Sequence, residues 1–288
     1  IALGLHNYAD VHGALPPPKI YSGSSSRLNP GGRVLNTTGF VLMLAQLEQT
    51  AMYNAYNFSH CSSTSVGTVN TNVVGSPLVN TTVIGSKVSA FNCPSDMDPE
   101  LVASYSSGTY YKVIDGRPSN YGFCSGWYTD YDNPGAQGYR PPTQYRGTFY
   151  CDLSTSISDV KDGTSNTTMI GETRQEHYSK SYTPYWGVGS HTAVHLACHP
   201  TYYSGKPYPA YVNYLPNAPY NTIPPSNTPG YNARRLQYAW AMGSMHPGGI
   251  NVAFVDGSVH FIKNTINPNA WWAINTMNGQ EIVGNNQF

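Results

Sequence analysis

Residues 1–12, IALGLHNYADVH, space Ile1, Leu5 and Tyr8 four and three apart, which is one face of a helix. Gly13 supplies a left-handed cap and Pro16-Pro17-Pro18 prevents continuation, so this segment reads as the tail of a longer helix. After a Ser/Gly/Asn loop at 22–32, Thr37-Thr38-Gly39 caps a second helix predicted over 40–56. From residue 64 the pattern changes to short Val/Thr/Tyr/Phe runs between Gly, Pro, Asn and Asp, the signature of antiparallel strands. Strands are predicted at 87–92, 109–114, 147–151 and 167–172. Residues 177–232 hold ten tyrosines and many prolines with little alternation, and read as a long ordered insertion packed on the body or on a partner.

The clearest local signal lies near the C-terminus. Asp256-Gly257 separates 250–255 from 258–262, the pair favoured in a two-residue type I′ hairpin turn. That register would set Phe254 against Val259 and Val252 against Phe261, giving one apolar face with Ala253 and His260 on the other. Asn267-Pro268 then caps a short helix carrying Trp271 and Trp272 and ending near Gly279. The fold class expected is α+β. Its parts are 1–63 (end of the N-terminal helix, loop and second helix), 64–176 (antiparallel β head), 177–245 (Tyr/Pro-rich insertion) and 246–288 (hairpin and short helix), within one continuous globular domain.

Composition narrows the partners. Fifteen basic and fifteen acidic residues give no net charge, and charged residues are 10% of the chain against about 25% in ordinary globular proteins. A broad cationic footprint for nucleic acid is therefore excluded, and 24 tyrosines argue for a packed chain rather than disorder. A surface made polar by uncharged groups suits packing against neighbours. No run of about 18 apolar residues is present, so any membrane or export segment is expected before Ile1. Cys61, Cys93, Cys124, Cys151 and Cys198 lie far apart without a Cys-x-x-Cys pair, and are disulfide candidates in an oxidising, extracytoplasmic setting. Sequons at Asn36, Asn57, Asn80 and Asn166 are candidate glycan acceptors.

Five segments in order carry a resemblance. They are Gly4-Leu5-His6-Asn7-Tyr8 with Gly13 to Pro17; Phe91-Asn92-Cys93-Pro94-Ser95-Asp96; Ser119-Asn120-Tyr121-Gly122; Asp162-Gly163-Thr164-Ser165-Asn166-Thr167 continuing to Ile170-Gly171-Glu172; and His246-Pro247-Gly248-Gly249 through Asp256-Gly257-Ser258-Val259. Together the chain resembles the bacterial pseudopilin-like family of unknown biochemical function, with a prepilin-type N-terminus similar to that of type II secretion G proteins. Its C-terminal signature is His, nine residues, then Asp-Gly. The resemblance implies a type IV pilin-like architecture, in which a hydrophobic N-terminal helix, cleaved and methylated by a prepilin peptidase, precedes an α/β head. Ile1 would fall near the end of that helix, membrane contact would run only through the missing part, and a cysteine just before Ile1 would supply a sixth thiol.

Candidate chemistry is sparse. A six-residue strand separates His246 from Asp256 by ~20 Å, so Asp256 is read as a turn residue and His246 as an anchor for the Pro247-Gly248-Gly249 loop. Asp159, Asp162 and Asn166 surround a glycine with oxygen ligands suited to calcium, although Lys161 interrupts them and an Asp-Gly turn accounts for the same letters. His191, His195 and His199 stand four apart, one face of a helix, and make a zinc candidate. No nucleophile elbow, His-Glu-x-x-His or phosphate loop occurs, and carboxylates such as Asp159, Asp162 and Glu172 form no distinctive pair. The expected function is a non-enzymatic structural subunit of an extracellular or cell-surface pilin-like assembly, partnered by copies of itself. The alternative is a surface-displayed module whose tyrosines capture glycans or nutrients. Calcium is the one cofactor considered.

Overall fold

A computed structural model of the chain describes residues 1–23, 32–66, 72–127, 142–177, 183–191, 193–198, 202–203, 206–207, 215–218 and 240–281. In chain order, α1 (Ala2–His12) leads to β1 (Lys19–Ile20), β2 (Arg33–Val34), β3 (Thr37–Thr38), α2 (Gly39–Leu42), α3 (Thr50–Ala55), β4 (Asn72–Val73) and α4 (Thr81–Ile84). There follow β5 (Val102–Ser107), β6 (Tyr111–Gly116), β7 (Tyr121–Cys124), β8 (Thr168–Glu172), β9 (His195–Leu196), β10 (Tyr202–Tyr203) and β11 (Lys206–Pro207). The last elements are β12 (Gly249–Phe254), β13 (Val259–Lys263) and α5 (Pro268–Ile274). The class is α+β: five strands form one sheet in the order β13-β12-β8-β7-β9, and the others pair in twos. All neighbours in the large sheet are antiparallel except β7 and β9.

Strand alternation gives this sheet two buried faces. Phe123, Ile170 and Ala253 share a core with Leu5 and Ala9 of α1. Cys124, Ile250, Val252 and Ile262 point the other way, into a core with Leu196, Trp271 and Ile274. Gly13, at φ 79°, ends α1 by returning its N–H to the Ala9 carbonyl, and Asn267 caps α5 by accepting the Asn269 N–H. A Cβ on Gly4 would stand 2.8 Å from the Leu47 side chain, so glycine lets α1 lie against that segment.

The second helix predicted over 40–56 is broken. Thr38 does cap α2, but the chain passes through a 3-10 turn at Ala45–Leu47 and a left-handed Glu48 (φ 61°) before α3. On α2, Phe40 stacks on Phe123 at 4.3 Å and meets Phe91 at 4.7 Å. Strand 87–92 is likewise replaced by a 3-10 turn, Ser89–Phe91, that turns Phe91 into this aromatic group. Segment 147–151 forms no ladder; Gly147 and Phe149 donate singly to Ser125 and Cys124 carbonyls. The predicted strand at 167–172 is β8, and 109–114 overlaps β6.

The hairpin exists with a different register. Ala253 faces Val259, Val252 faces His260 and Asn251 faces Phe261. The loop holds three residues instead of two: Gly257 donates to the Phe254 carbonyl, Phe254 donates to Ser258, and Gly257 takes φ 87°. One extra loop residue moves every β13 side chain to the opposite face. Phe254 and Ile262 are therefore buried, while Val259 and Phe261 are 62% and 44% exposed. Within the segment 177–232, read as an ordered insertion packed on the body or on a partner, the described residues of 183–198 pack into the core. Tyr185, Trp186, Val188, Val194 and Leu196 are core residues, and β9 pairs with β7. Most of the remaining tyrosine-rich segment lies outside the described residues. No helix among the described residues is long and apolar enough to cross a membrane.

This register separates two phenylalanines that the two-residue turn would have placed together. Phe254→Ala is expected to cost about 3–5 kcal/mol in denaturant unfolding and Phe261→Ala about 1 kcal/mol or less. Equal losses would contradict the register.

Candidate functional site

One end of the large sheet gathers the polar side chains. Tyr121 opens β7 opposite Glu172, which closes β8, and Val252 opposite Gly171 brings Asn251 alongside. Asn120, just before β7, is buried. Its carbonyl oxygen accepts the Cys93 N–H at 2.9 Å and the Gln175 side-chain amide at 2.7 Å. Its amide nitrogen donates to the Asp96 carboxylate and to the Thr173 carbonyl at 3.1 Å. Because backbone groups occupy both sides, the amide has one orientation, and its hydrogen-bonding capacity is filled. The Asn120 backbone adds bonds to Phe91 and Thr173.

This hub places Cys93 beside Glu172 and His246. The His246 Nε2 lies 3.7 Å from Cys93 Sγ and 3.5 Å from Glu172 Oε1. The three donor atoms all fall within 4.8 Å of one another. Glu172 is buried, accepting the Asn251 N–H at 2.7 Å on Oε2 and its side-chain amide at 3.2 Å on Oε1. Burial, followed by the charge of the neighbouring Glu172 carboxylate, pushes the Tyr121 phenol well up, so it remains a donor at neutral pH. Tyr121, Glu172 and Asn251 also border a cavity of about 340 Å³ walled by Ile1, Ala2 and Ile170. A nucleophile–base–acid relay would need the thiol and the carboxylate on different ring nitrogens. Here both face Nε2.

His246 is therefore more than a loop anchor. Its backbone N–H does bond the Ser244 hydroxyl, and Gly248 and Gly249 carbonyls accept from Asn264 and Ser244, but the ring turns to Cys93 and Glu172. Asp256 sits in the hairpin loop and accepts from the N–H and hydroxyl of Ser258. Cys93 and Glu172 were not joined to His246 from the sequence, although each lies in a segment that carried the family resemblance. That shared membership was the available signal.

The other candidates do not assemble. Asp159 accepts the Ser156 N–H, whereas both Asp162 oxygens take the Gly279 and Gln280 N–H groups and Asn166 donates to the Asp162 carbonyl. These carboxylates thus bond backbone N–H groups of the turn and of the 279–280 segment. His195 lies on a strand and His191 in a turn edged by Tyr110 and Tyr111, so no helical face aligns them; His199 lies outside the described residues. Asn36 and Asn80 are buried, with side chains bonded to Gly23, Ser63 and Ser65 and to Asn57 and His60 respectively. Those bonds exclude them as acceptors in the folded chain. Asn57 is exposed and Asn166 half-buried.

All five cysteines are free and buried. Burial raises three of the thiols: Cys61 is pushed up to about 11, Cys124 to about 12, and Cys198 also upward.

The profile of a family described as a protein of unknown function, DUF1559, matches residues 1–269, and the chain belongs to that family. No curated protein and no solved structure matches it.

Removing the hub amide leaves buried groups unpaired, so Asn120→Ala is expected to lower unfolding free energy by about 2–4 kcal/mol. An unchanged melting curve would contradict its role. Folding also raises the Tyr56 phenol from 10.0 to about 12, chiefly by burial, as it raises Cys61 and Cys124 from 9.0. Native protein thus holds protons that the unfolded chain releases. Stability from these groups is complete below pH 9 and lost as pH rises through 11–12, which alkaline denaturant titrations will register as a falling midpoint.

Proposed function

We propose that the chain is the head of a structural, pilin-like subunit that associates with copies of itself outside the cell or on its surface. The observation carrying this reading is an exposed apolar surface on α1 and β13. Leu3 and Val11 of α1 are 73% and 72% exposed, although Leu5 and Ala9 of the same helix are buried. At the sheet's edge, β13 exposes Val259 and Phe261. The two elements are neighbours: Ile1, Ala2 and Val259 line one cavity, and Gly257 approaches the His6 ring. A strand at the edge of its sheet among the described residues, flanked by exposed apolar side chains, favours addition of another chain, and a chain with no net charge offers little repulsion against it.

The cavity beside Glu172 favours a second reading, a surface-displayed module for a glycan or nutrient. Its volume of about 340 Å³ and its three hydrogen-bonding groups suit a small polar ligand.

Electron microscopy and sedimentation of the native protein separate these readings. Self-association is expected, weakened about tenfold or more by Leu3→Lys with Phe261→Lys, since each charge opposes apolar burial. A monomer at every concentration would contradict the structural reading, and saturable sugar binding by that monomer would favour the second.

A further inference from the structure

We propose that Cys93, Glu172 and His246 form a binding site for a divalent transition-metal ion of the zinc type. The three side chains are a thiol, a carboxylate and an imidazole, each an established zinc ligand. Their spacing is compatible with a shared ion, since the three donor atoms all lie within 4.8 Å of one another. Tetrahedral zinc with bonds of ~2.0–2.3 Å sets its ligand atoms about 3.3–3.8 Å apart. The Nε2–Sγ and Nε2–Oε1 separations are 3.7 and 3.5 Å, inside that interval. The latter is longer than an ordinary charge-assisted hydrogen bond of about 2.7–2.9 Å.

Orientation and charge agree with the spacing. Sγ and Oε1 both approach the same ring nitrogen, which cannot accept a proton from one and donate to the other through a single position. An ion between the three atoms satisfies all of them. Cys93 yields its thiol proton to solvent on binding, and a dication with one thiolate, one carboxylate and a neutral imidazole is electrically neutral. Neutrality lowers the cost of holding the buried Glu172 carboxylate, whose side chain is 3% exposed.

The surroundings hold two of the ligands in place. Asn120 bonds the Cys93 backbone, and Asn251 bonds both Glu172 oxygens. His246 is 28% exposed, so the fourth position is open to water on its side. Binding would clasp three segments, the 3-10 turn before Cys93, the end of β8 and the loop before β12, and is independent of self-association.

The test is titration of the reduced, chelator-treated full chain with Co²⁺ and then Zn²⁺, on dispersed protein so that failure of assembly does not affect the reading. A single equivalent of Co²⁺ is expected to give tetrahedral ligand-field bands and a thiolate-to-cobalt charge-transfer band, both removed when Zn²⁺ displaces it. Cys93→Ser is expected to abolish the charge-transfer band and Cys61→Ser to leave it unchanged. His246→Gln, at a partly exposed position, is expected to weaken affinity by about 100-fold with an unaltered circular dichroism spectrum. Absence of the band in folded wild-type protein, or its persistence in Cys93→Ser, would overturn the site. Should Cys93→Ser fail to fold, unchanged affinity in His246→Gln overturns it.

Discussion

The buried amide of Asn120 is the constraint on which this architecture turns. It joins the Cys93–Asp96 turn, the entry to β7 and the chain leaving β8, using its oxygen and its nitrogen twice each. A buried amide loses more by leaving one partner unmet than it gains from any single bond, so these bonds favour forming together. Once they form, Cys93 has one location relative to β8, and the Glu172 carboxylate is beside it. His246 completes the group because β12 pairs with β8 and carries the preceding loop to the same end.

The sheet extends this constraint into the rest of the molecule. α1 with Phe40 and Phe91, packed on Phe123 of β7, covers one face, while Trp271 and its neighbours cover the other. The polar cluster therefore closes the end of a sheet whose middle is apolar on both sides. β13, at the edge, is the exception, with only Ile262 buried among its residues. Its exposed apolar positions and those of α1 give the assembly proposal a physical basis separate from the polar cluster.

Local signals in the sequence predicted much of this fold and little of the site. Gly13 after a helical face, Asn267-Pro268 before Trp271, and the short apolar run into Glu172 each act within a few residues, and each became the element expected. The hairpin was legible but its register was not, since Asp-Gly also fits a three-residue loop with glycine in the left-handed position. The helix over 40–56 breaks at a 3-10 turn and the left-handed Glu48, where no glycine or proline marks an end. The site depends on longer range still: Cys93 and His246 are 153 residues apart in sequence. The sequons at Asn36 and Asn80 illustrate the same limit, because their three-letter pattern does not reveal that the amides are committed to neighbouring backbone.

The convergence of these segments rests on Asn120, and its side-chain amide protons report on it directly. In hydrogen exchange followed by nuclear magnetic resonance on isotope-labelled protein, both protons should exchange only through global unfolding, at the slow rate of the β7 and β8 backbone amides. Exchange at the rate of a solvent-exposed asparagine, while those strands stay protected, would contradict the account.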